Sequence, residues 1–423
     1  MSAEQVSAGA ATRRVALVTF IGGLGGGLVF PILPALGLQL GISSFVIGLI
    51  LSANRLTRLA CDAAAGRLVD RFGGKGPLAW GLGLEALGIM AYSAGLHLGH
   101  VAWWLLGGRI VFGVGSALLI VGAQAAVLGF STHGDRGRRT ATVRIALSMG
   151  MPGGLVLGGV IADLVSDDAA FWAGAGLTLI GAAIAWRYVP SARGGGYAHG
   201  ARAGLVQRLR ALVRLPEFPV LAAAWSFNAL IFLCVQGVLL ATLVVLVHER
   251  ALALFGMGDQ GTAGLMMAAL MASSSVMAFG IGRAIDRVAH RATLVLPALA
   301  MLAAGFVVLG LAHTLAVTLA GTLLVGISFN AVTLPMLALL GDVTDPDQYG
   351  RAVGIYQVFG DIGGSLGPIA GLEAGVRWGL TPTYLALAVL IAAGCAMAVA
   401  VRRAEGRFAA GTAHMRESGL GGR

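Results

Sequence analysis

The sequence predicts an all-α membrane protein with twelve transmembrane helices in two six-helix pseudo-repeat bundles. Three observations predict this fold class: an apolar composition, a series of long apolar runs, and a charged motif that occurs twice, 216 residues apart. Hydrophobic residues make up 57% of the 423 residues and charged residues 11%. Soluble domains carry about 25% charged residues. The mean hydropathy of +0.86 therefore indicates a surface that faces lipid.

Each apolar run is long enough to cross ~30 Å of hydrocarbon at about 1.5 Å per helical residue. We number the predicted helices 1 to 12 in chain order. They lie near residues 15–37, 45–65, 77–96, 102–130, 141–165, 169–189, 217–247, 261–284, 293–312, 315–341, 350–375 and 381–401. The even number of crossings predicts that both termini lie on one side of the membrane.

The runs also predict the domain organisation. We expect a disordered N-terminal tail over residues 1–12 and a six-helix bundle over residues 13–189. A basic cytoplasmic linker over residues 190–216 leads to a second six-helix bundle over residues 217–403, and residues 404–423 form a cytoplasmic tail.

The basic residues are distributed unevenly between the two sides. Of 29 Lys and Arg residues, 24 fall in segments assigned to one side, and only Arg250 and Arg377 fall on the other. This asymmetry predicts cytoplasmic termini in a multi-pass protein of the plasma (inner) membrane. The net charge of +10 is thus a topology signal, and we expect no nucleic-acid partner. We expect a monomer in the lipid bilayer, whose anionic headgroups the basic loops can bind, and a small-molecule substrate.

A charged, glycine-rich motif separates predicted helices 2 and 3. Residues 66–75 read GRLVDRFGGK, and residues 282–291 read GRAIDRVAHR. An Asp in such a link can accept backbone N–H groups at a neighbouring helix N-terminus. The hypothesis of a gating latch rests on Gly66, Asp70, Arg71, Gly73 and Lys75 in the first copy and on Gly282, Asp286 and Arg287 in the second. The alternative is a plain capped turn that sets topology.

The pattern G-x-L-x-D-R-x-G resembles the motif between helices 2 and 3 of the major facilitator superfamily, whose members have two six-helix halves. The resemblance covers about residues 13–403. It implies a secondary transporter in which this loop is a latch and Asp70 meets the start of helix 11, here Gly350-Arg351. The first copy departs from the family at its end, where this chain reads Gly74-Lys75-Gly76.

Two glycine ladders with a spacing of four residues place glycine on one helical face, which permits tight helix crossing. They consist of Gly150, Gly154 and Gly158 in predicted helix 5, and of Gly363, Gly367 and Gly371 in predicted helix 11. The second ladder contains Pro368 and resembles the antiporter motif gxxxGPxxGG, which belongs in helix 5 of the family. Because residues 150–159 read GMPGGLVLGG, the direction of transport stays open.

In predicted helix 4, Arg109, Gly113 and Gly115 resemble the family's R-x3-G-x-G motif. An arginine does not deprotonate in a protein, so Arg109 cannot carry a proton. It can hold a carboxylate or lower the pKa of a neighbour. We expect it to be buried; the alternative is an arginine that snorkels to the outer interface.

Predicted helix 2 carries Arg55, Arg58 and Asp62 on one stripe. Arg55 lies ~15 Å from the outer end, where a lone arginine costs about 2.5–3.5 kcal/mol. It should therefore face a cavity or a partner. We hypothesise that Asp361 of predicted helix 11 pairs with Arg55 or Arg58 in one state and is protonated or substrate-paired in the other. A permanent structural pair is the alternative, and Glu85 and Glu373 rank below Asp361.

Other polar residues are candidates to line a central cavity, although each alone is more often an interhelical hydrogen bond. They are Asn54, Gln124, Asn228, Gln236, Asn330, Tyr356 and Gln357.

These patterns favour a secondary active transporter with alternating access that couples efflux of small amphiphilic, drug-like compounds to protons. Proton-coupled uptake or exchange of a small anionic metabolite is the alternative, motivated by Arg55 and Arg58. We expect no cofactor and no metal, with the proton gradient as the driving force, because the sequence has no Walker A loop and no paired cysteines. A membrane-embedded enzyme is disfavoured, since the histidines are scattered in loops.

Overall fold

The computed structural model describes residues 3–132, 134–191, 218–285, 287–288, 290–344 and 346–417, and all regular structure in these residues is helical. All twelve predicted helices are present, and we number them accordingly. They are α1 (Ala3–Leu28 and Ile32–Gln39), α2 (Ser44–Phe72), α3 (Lys75–Leu98), α4 (Val101–Gly129), α5 (Arg136–Leu164), α6 (Asp167–Tyr188), α7 (Phe218–Ile231, a π-helical stretch Phe232–Leu239, and Leu240–Glu249), α8 (Asp259–Ile285), α9 (Ala292–Leu311), α10 (Leu315–Val343), α11 (Pro346–Trp378) and α12 (Leu380–Glu417).

Ten of the helical segments in the described residues are long and apolar enough to cross a membrane. The two remaining helices, α3 and α11, have 24 and 33 residues and connect such segments. The chain is therefore a multi-pass membrane protein.

Several helices are longer than the apolar runs predicted. Helix α1 begins at Ala3, where a disordered tail to residue 12 was expected, because Ala11 and Thr12 are buried in tertiary contacts. It breaks before Ile32, where Pro31 supplies no amide hydrogen. Helix α12 continues to Glu417, beyond the predicted limit at residue 403. The linker from residue 192 onward lies outside the described residues.

The described residues group into two compact units. The first unit comprises those within Met1–Ala203, Gln236–Ala268 and Gly364–Arg377, and the second comprises those within Gly204–Val235, Ala269–Gly363 and Trp378–Arg423. Helices α7, α8 and α11 each contribute to both units. The division into bundles 13–189 and 217–403 stays a prediction.

Glycine determines the packing inside the first unit. A methyl group at Gly150, Gly154 or Gly158 of α5 would overlap backbone carbonyl oxygens of α1. Helices α3 and α4 approach each other equally closely at Gly81 and Gly115. Close backbone approach of this kind stabilises helix pairs in lipid, where burial of apolar side chains supplies little driving force.

In the second unit, α9 packs against α10 and α12. The hydroxyl of Thr381 donates to the carbonyl of Gly310 at 2.8 Å, and the rings of Phe306 and Tyr384 lie 6.0 Å apart in an edge-to-face arrangement. The indole N–H of Trp225 in α7 donates to the carbonyl of Ala352 in α11 at 3.2 Å.

Candidate functional site

Within the first unit, the N-terminal half of α2 runs antiparallel to the C-terminal part of α11. The contacting pairs are Ser44 with Glu373, Gly48 with Ile369, and Ser52 with Ser365. Ser44 Oγ donates to the Glu373 carboxylate at 2.6 Å, and Ser52 Oγ donates to the Ser365 carbonyl. Four residues forward along α2 correspond to four residues back along α11. Small residues once per turn therefore allow the two backbones to approach closely.

Arg55 lies where this contact ends. Its Nη2 donates to Oε1 of Gln236 at 3.0 Å, and its guanidinium lies against Gly364, where any Cβ would collide with it. Arg55 is partly buried, as are Arg58 and Asp62, which follow on the same stripe. The structure thus brings together two residues, Arg55 and Gln236, that the sequence only nominated separately.

Gln236 lies in the π-helical stretch of α7, which the sequence did not predict. Such insertions in α-helices are frequent at functional sites. Asp361 is partly buried in the second unit, and its pairing with Arg55 or Arg58 stays a prediction.

Asp163, which the sequence analysis overlooked, connects α5 to α8 in the first unit. Its Oδ2 accepts the backbone N–H of Gly261 at 2.6 Å, in the first turn of α8. A carboxylate is stabilised at this position by the helix dipole. One turn earlier, Gly159 packs against the backbone of Gln260. The sequence signals that could have identified this contact are an Asp near the C-terminal end of α5 and glycines near the start of α8.

Arg109 lies in the core of the first unit, with 0% of its surface exposed, and not at an interface. Its Cζ lies 5.3 Å from the ring centroid of Phe30 and 6.0 Å from that of Tyr92. Its guanidinium also interacts with the Tyr92 hydroxyl, although its nitrogens do not reach full hydrogen-bond geometry with a described residue. Two aromatic rings and this hydroxyl therefore lie next to the cation.

Comparison with known proteins identifies the family of this chain. The family model described as Major Facilitator Superfamily matches residues 15–368, and a further match covers residues 254–418. The chain belongs to the major facilitator superfamily. Members of this superfamily are transporters rather than enzymes.

Multidrug resistance protein 2 of Bacillus subtilis (strain 168) is 30% identical over 34% of this chain and 35% of its own length. Multidrug resistance protein 1 of the same organism is 30% identical over 37% of this chain and 39% of its own. The chain thus spans little more than a third of these relatives. The crystal structure of a mutant of the nucleoside transporter NupG superimposes with a TM-score of 0.76, over 92% of this chain and 99% of that one. At 13% identity, this likeness concerns the fold alone.

The superfamily's loop motif is mostly helical here, which corrects the expectation of a link over residues 66–75. Residues 66–72 form the last turns of α2, and Lys75 begins α3. Only Gly73 and Gly74 connect the helices: Gly73 has a φ of 74°, and Gly74 packs against the backbone of α4. The helix continues to Phe72 because residues 67–72 include neither glycine nor proline, and it ends where Gly73 adopts a positive φ.

Charged residues of both copies of the loop motif are exposed at the protein surface. Asp70 and Arg71 are exposed, and the Arg71 guanidinium lies 5.2 Å from the ring centroid of Phe72. In the second copy Gly282 lies in the last turn of α8 and Arg287 is exposed, whereas Asp286 lies outside the described residues. The latch between Asp70 and the start of α11 stays a prediction.

Three of the cavity candidates form hydrogen bonds between helices of the second unit. The amide Nδ2 of Asn228 donates to the carbonyl of Tyr356 at 2.6 Å, and that of Asn330 donates to the carbonyl of Ser274 at 2.9 Å. The Tyr356 hydroxyl donates to the carbonyl of Thr333 at 2.9 Å. These groups connect helices. Asn54 and Gln124 are partly buried, and Gln357 is exposed.

The glycines of α11 pack along α7. In the second unit, a methyl group at Gly363 would overlap the carbonyl oxygen of Ala229. In the first unit, Gly367 and Gly371 pack against Gly237 and Val238, and Pro368 lies beside Gly48 of α2. Glycine therefore allows α11 to approach α7 closely, both before the π-helical stretch and at its end.

Proposed function

We propose that this superfamily member is a proton-coupled exporter of small amphiphilic compounds that works by alternating access. Its relatives named multidrug resistance proteins support export of such compounds. We further propose that both termini and the basic linker are cytoplasmic, in the plasma (inner) membrane.

The observation that carries the proposal is the contact between α2 and α11. It joins a helix from each half of the chain through Gly48, two serine hydroxyls and the Arg55 guanidinium, which lies against Gly364. Two conformations that interconvert must differ by only a few kcal/mol. A contact made of small residues and single hydrogen bonds can open without exposing a large apolar surface.

Arg55 also places a permanent positive charge inside an apolar helix, where charged residues mark substrate or ion pathways. The hydrogen bond between Arg55 and the neutral amide of Gln236 is a contact that a polar group of a substrate could replace. This exchange gives the site a way to respond to its ligand.

The test uses the full chain in liposomes that contain a pH dye, with an imposed proton gradient. Amphiphilic cations and organic anions are added one at a time. We expect cations to evoke proton flux and Asp361→Asn to abolish it, whereas Asp342→Asn, at the surface pair with Arg291, leaves it intact. No flux with any compound overturns the proposal.

The runner-up function is proton-coupled uptake or exchange of a small anion, which the depth of Arg55 and Arg58 in α2 favours. In the same assay, flux evoked only by anions and lost in Arg55→Ala supports the anion transporter. Arg187→Ala is the matched control, because Arg187 is exposed in the last turn of α6, away from this contact. That result would contradict the proposed export of amphiphilic compounds.

A further inference from the structure

A groove with a volume of about 680 Å³ opens on the surface of the first unit between α3, α4 and α6. It is lined by residues within 87–98 of α3 and 103–111 of α4 and by Trp172 of α6, and this lining is almost entirely apolar. We propose that the groove binds one molecule of phosphatidylethanolamine, a phospholipid whose headgroup carries a primary ammonium. The inference does not depend on the direction or the coupling of transport.

Small residues line the groove where α3 crosses α4. The two backbones are in contact there, because a methyl group on Gly88 would lie 2.6 Å from the carbonyl oxygen of Gly108. The neighbouring Gly107 is exposed, and no described atom lies within 4 Å of a methyl group added to it. Along α3 the lining runs from Leu87 to Leu98, which is ~16 Å of helix. One leaflet contributes about half of the ~30 Å hydrocarbon core, so the groove is long enough for an acyl chain of one leaflet.

Three tryptophans, Trp103, Trp104 and Trp172, line the groove at the end where α3 terminates and α4 and α6 begin. Trp103 is 74% exposed, and the other two indoles are also exposed. Tryptophan is enriched where hydrocarbon meets headgroups. Since α4 and α6 are both long and apolar enough to span a membrane, their first turns belong at that boundary. The tryptophan end of the groove is therefore at headgroup depth, and its occupant comes from the membrane.

A carboxylate lies at the same end of the groove. Oδ1 of Asp168 accepts a hydrogen bond from Ser93 Oγ, and its Oδ2 lies 3.3 Å from Nε2 of His97. Ser93 and His97 both line the groove, and the Asp168 side chain is still 32% exposed. A carboxylate has about four lone-pair sites, so Asp168 can accept a further hydrogen bond from a ligand. Asp167 adds a second negative charge at the start of α6, and this end of the groove therefore favours a cationic headgroup.

The position of this carboxylate selects among the common phospholipids. A primary ammonium carries N–H donors that bind a carboxylate in charge-assisted hydrogen bonds, which are stronger than neutral ones. The choline headgroup has no N–H and can only lie against the indole faces. Phosphatidylglycerol is an anion, which Asp167 and Asp168 repel. In phosphatidylethanolamine the phosphate lies next to the ammonium, where an exposed indole N–H can donate to it. The acyl chain then follows the apolar groove away from the headgroup.

Native mass spectrometry of the full chain in detergent tests the selectivity. Phosphatidylethanolamine, phosphatidylcholine and phosphatidylglycerol with identical acyl chains are added in turn, and we expect one phosphatidylethanolamine to be retained under conditions that remove the other two. Asp168→Asn should reduce the preference for ethanolamine over choline about tenfold, because the acceptor loses its charge but keeps an oxygen for Ser93. Asp342→Asn, at the surface pair with Arg291, should keep the preference. Equal retention of the three lipids, or an unchanged preference in Asp168→Asn, overturns the proposal.

Gly107→Leu tests the location, because its side chain fills the groove and the space around Gly107 is open. We expect this variant to lose the bound lipid, whereas Gly83→Leu, at another open position on α3, keeps it. Retention by Gly107→Leu contradicts the location. Should Gly107→Leu not fold, phosphatidylethanolamine with a photoreactive acyl chain is cross-linked to the unaltered protein. We expect the label within residues 87–111, and a label spread evenly over the lipid-facing helices would show a non-specific lipid shell and overturn the proposal.

Discussion

The side chain of Arg139 connects the first part of α1 to the start of α5. It is 6% exposed, its Nη1 donates to Thr12 Oγ1 at 3.0 Å, and its Nε donates to Asp135 Oδ2 at 2.6 Å. The sequence counted Arg139 as one positive charge among many in a cytoplasmic loop. The structure makes it the link between α1 and the start of α5, which explains why α1 begins before residue 12.

The hydrogen bond from Arg139 holds the pKa of Asp135 below its usual value. A carboxyl whose pKa is lowered by folding stabilises the fold above the unfolded pKa of about 3.9, and this stabilisation is lost as pH falls through the lower folded value. We therefore expect the Tm of the parent to exceed that of Asp135→Asn near neutral pH, with the difference shrinking below about pH 4. Thermal unfolding in detergent from pH 3 to 7 measures this difference in Tm. A difference that does not change with pH would contradict a stabilising role of the Asp135–Arg139 hydrogen bond.

Gly73 is required by the backbone of the loop motif. Its φ of 74° and ψ of 177° are essentially restricted to glycine. We expect Gly73→Ala to destabilise the protein by about 1–3 kcal/mol. Gly83→Ala is the control, because Gly83 is helical and has open space around it. Equal Tm values for the two variants in thermal unfolding would show that the positive φ is not needed.

At the scale of elements, the packing of α5 against α1 depends on glycine at 150, 154 and 158. The spacing of four predicted that these residues share a face, but not that α1 is the helix they meet. The adjacent face of α5 meets α8 at Gly159, so α5 contacts an early and a late helix. Which helix a small-residue stripe meets depends on the rotation of both helices, which no local pattern encodes.

Gly158→Ala places a methyl group on the Leu28 carbonyl oxygen, and the backbones must separate to accommodate it. We expect a loss of about 1–3 kcal/mol, typical of overpacking. Gly176→Ala in α6 is the matched control, since nothing lies near its added methyl group. Denaturation in mixed micelles compares the two variants; a Gly158→Ala protein as stable as Gly176→Ala would mean that α1 and α5 are not in tight contact.

At the scale of the whole molecule, the proposed function requires the contact between α2 and α11 to open. This contact lies within the first unit, where Ser52 donates to the Ser365 carbonyl. Alternating access cannot proceed when helices that must separate are joined covalently. A covalent cross-link between α2 and α11 at this contact should therefore block transport.

In a chain with Cys61, Cys234 and Cys395 replaced, Ser52→Cys with Ser365→Cys should form a disulfide on oxidation and lose transport, and reduction should restore it. The control pair is Gly310→Cys with Thr381→Cys, which joins α9 and α12 at a contact inside the second unit. Flux assays in liposomes compare the oxidised and reduced proteins. Transport that persists in the oxidised Ser52–Ser365 pair would exclude opening of this contact.

The sequence by itself determined the number and order of the helices. A backbone in hydrocarbon must satisfy its hydrogen bonds within each segment, so every long apolar run becomes a helix. The same local physics indicated a membrane protein, and the resemblance of residues 66–75 to a family motif indicated the superfamily. Hydropathy did not place the helix ends at residues 3, 72 and 417, because backbone hydrogen bonds continue a helix beyond its apolar part.

Only the tertiary structure decided which side chains meet. Asp163 and Gly261 are 98 residues apart, Arg55 and Gln236 are 181 apart, and Glu85 of α3 is buried where Gly22 of α1 and Gly115 of α4 approach it. Each of these arrangements depends on how helices rotate and cross, and residues distant in the chain set that geometry jointly. Hydropathy and spacing describe one helix at a time, so they identify the polar residues inside the membrane but not their partners.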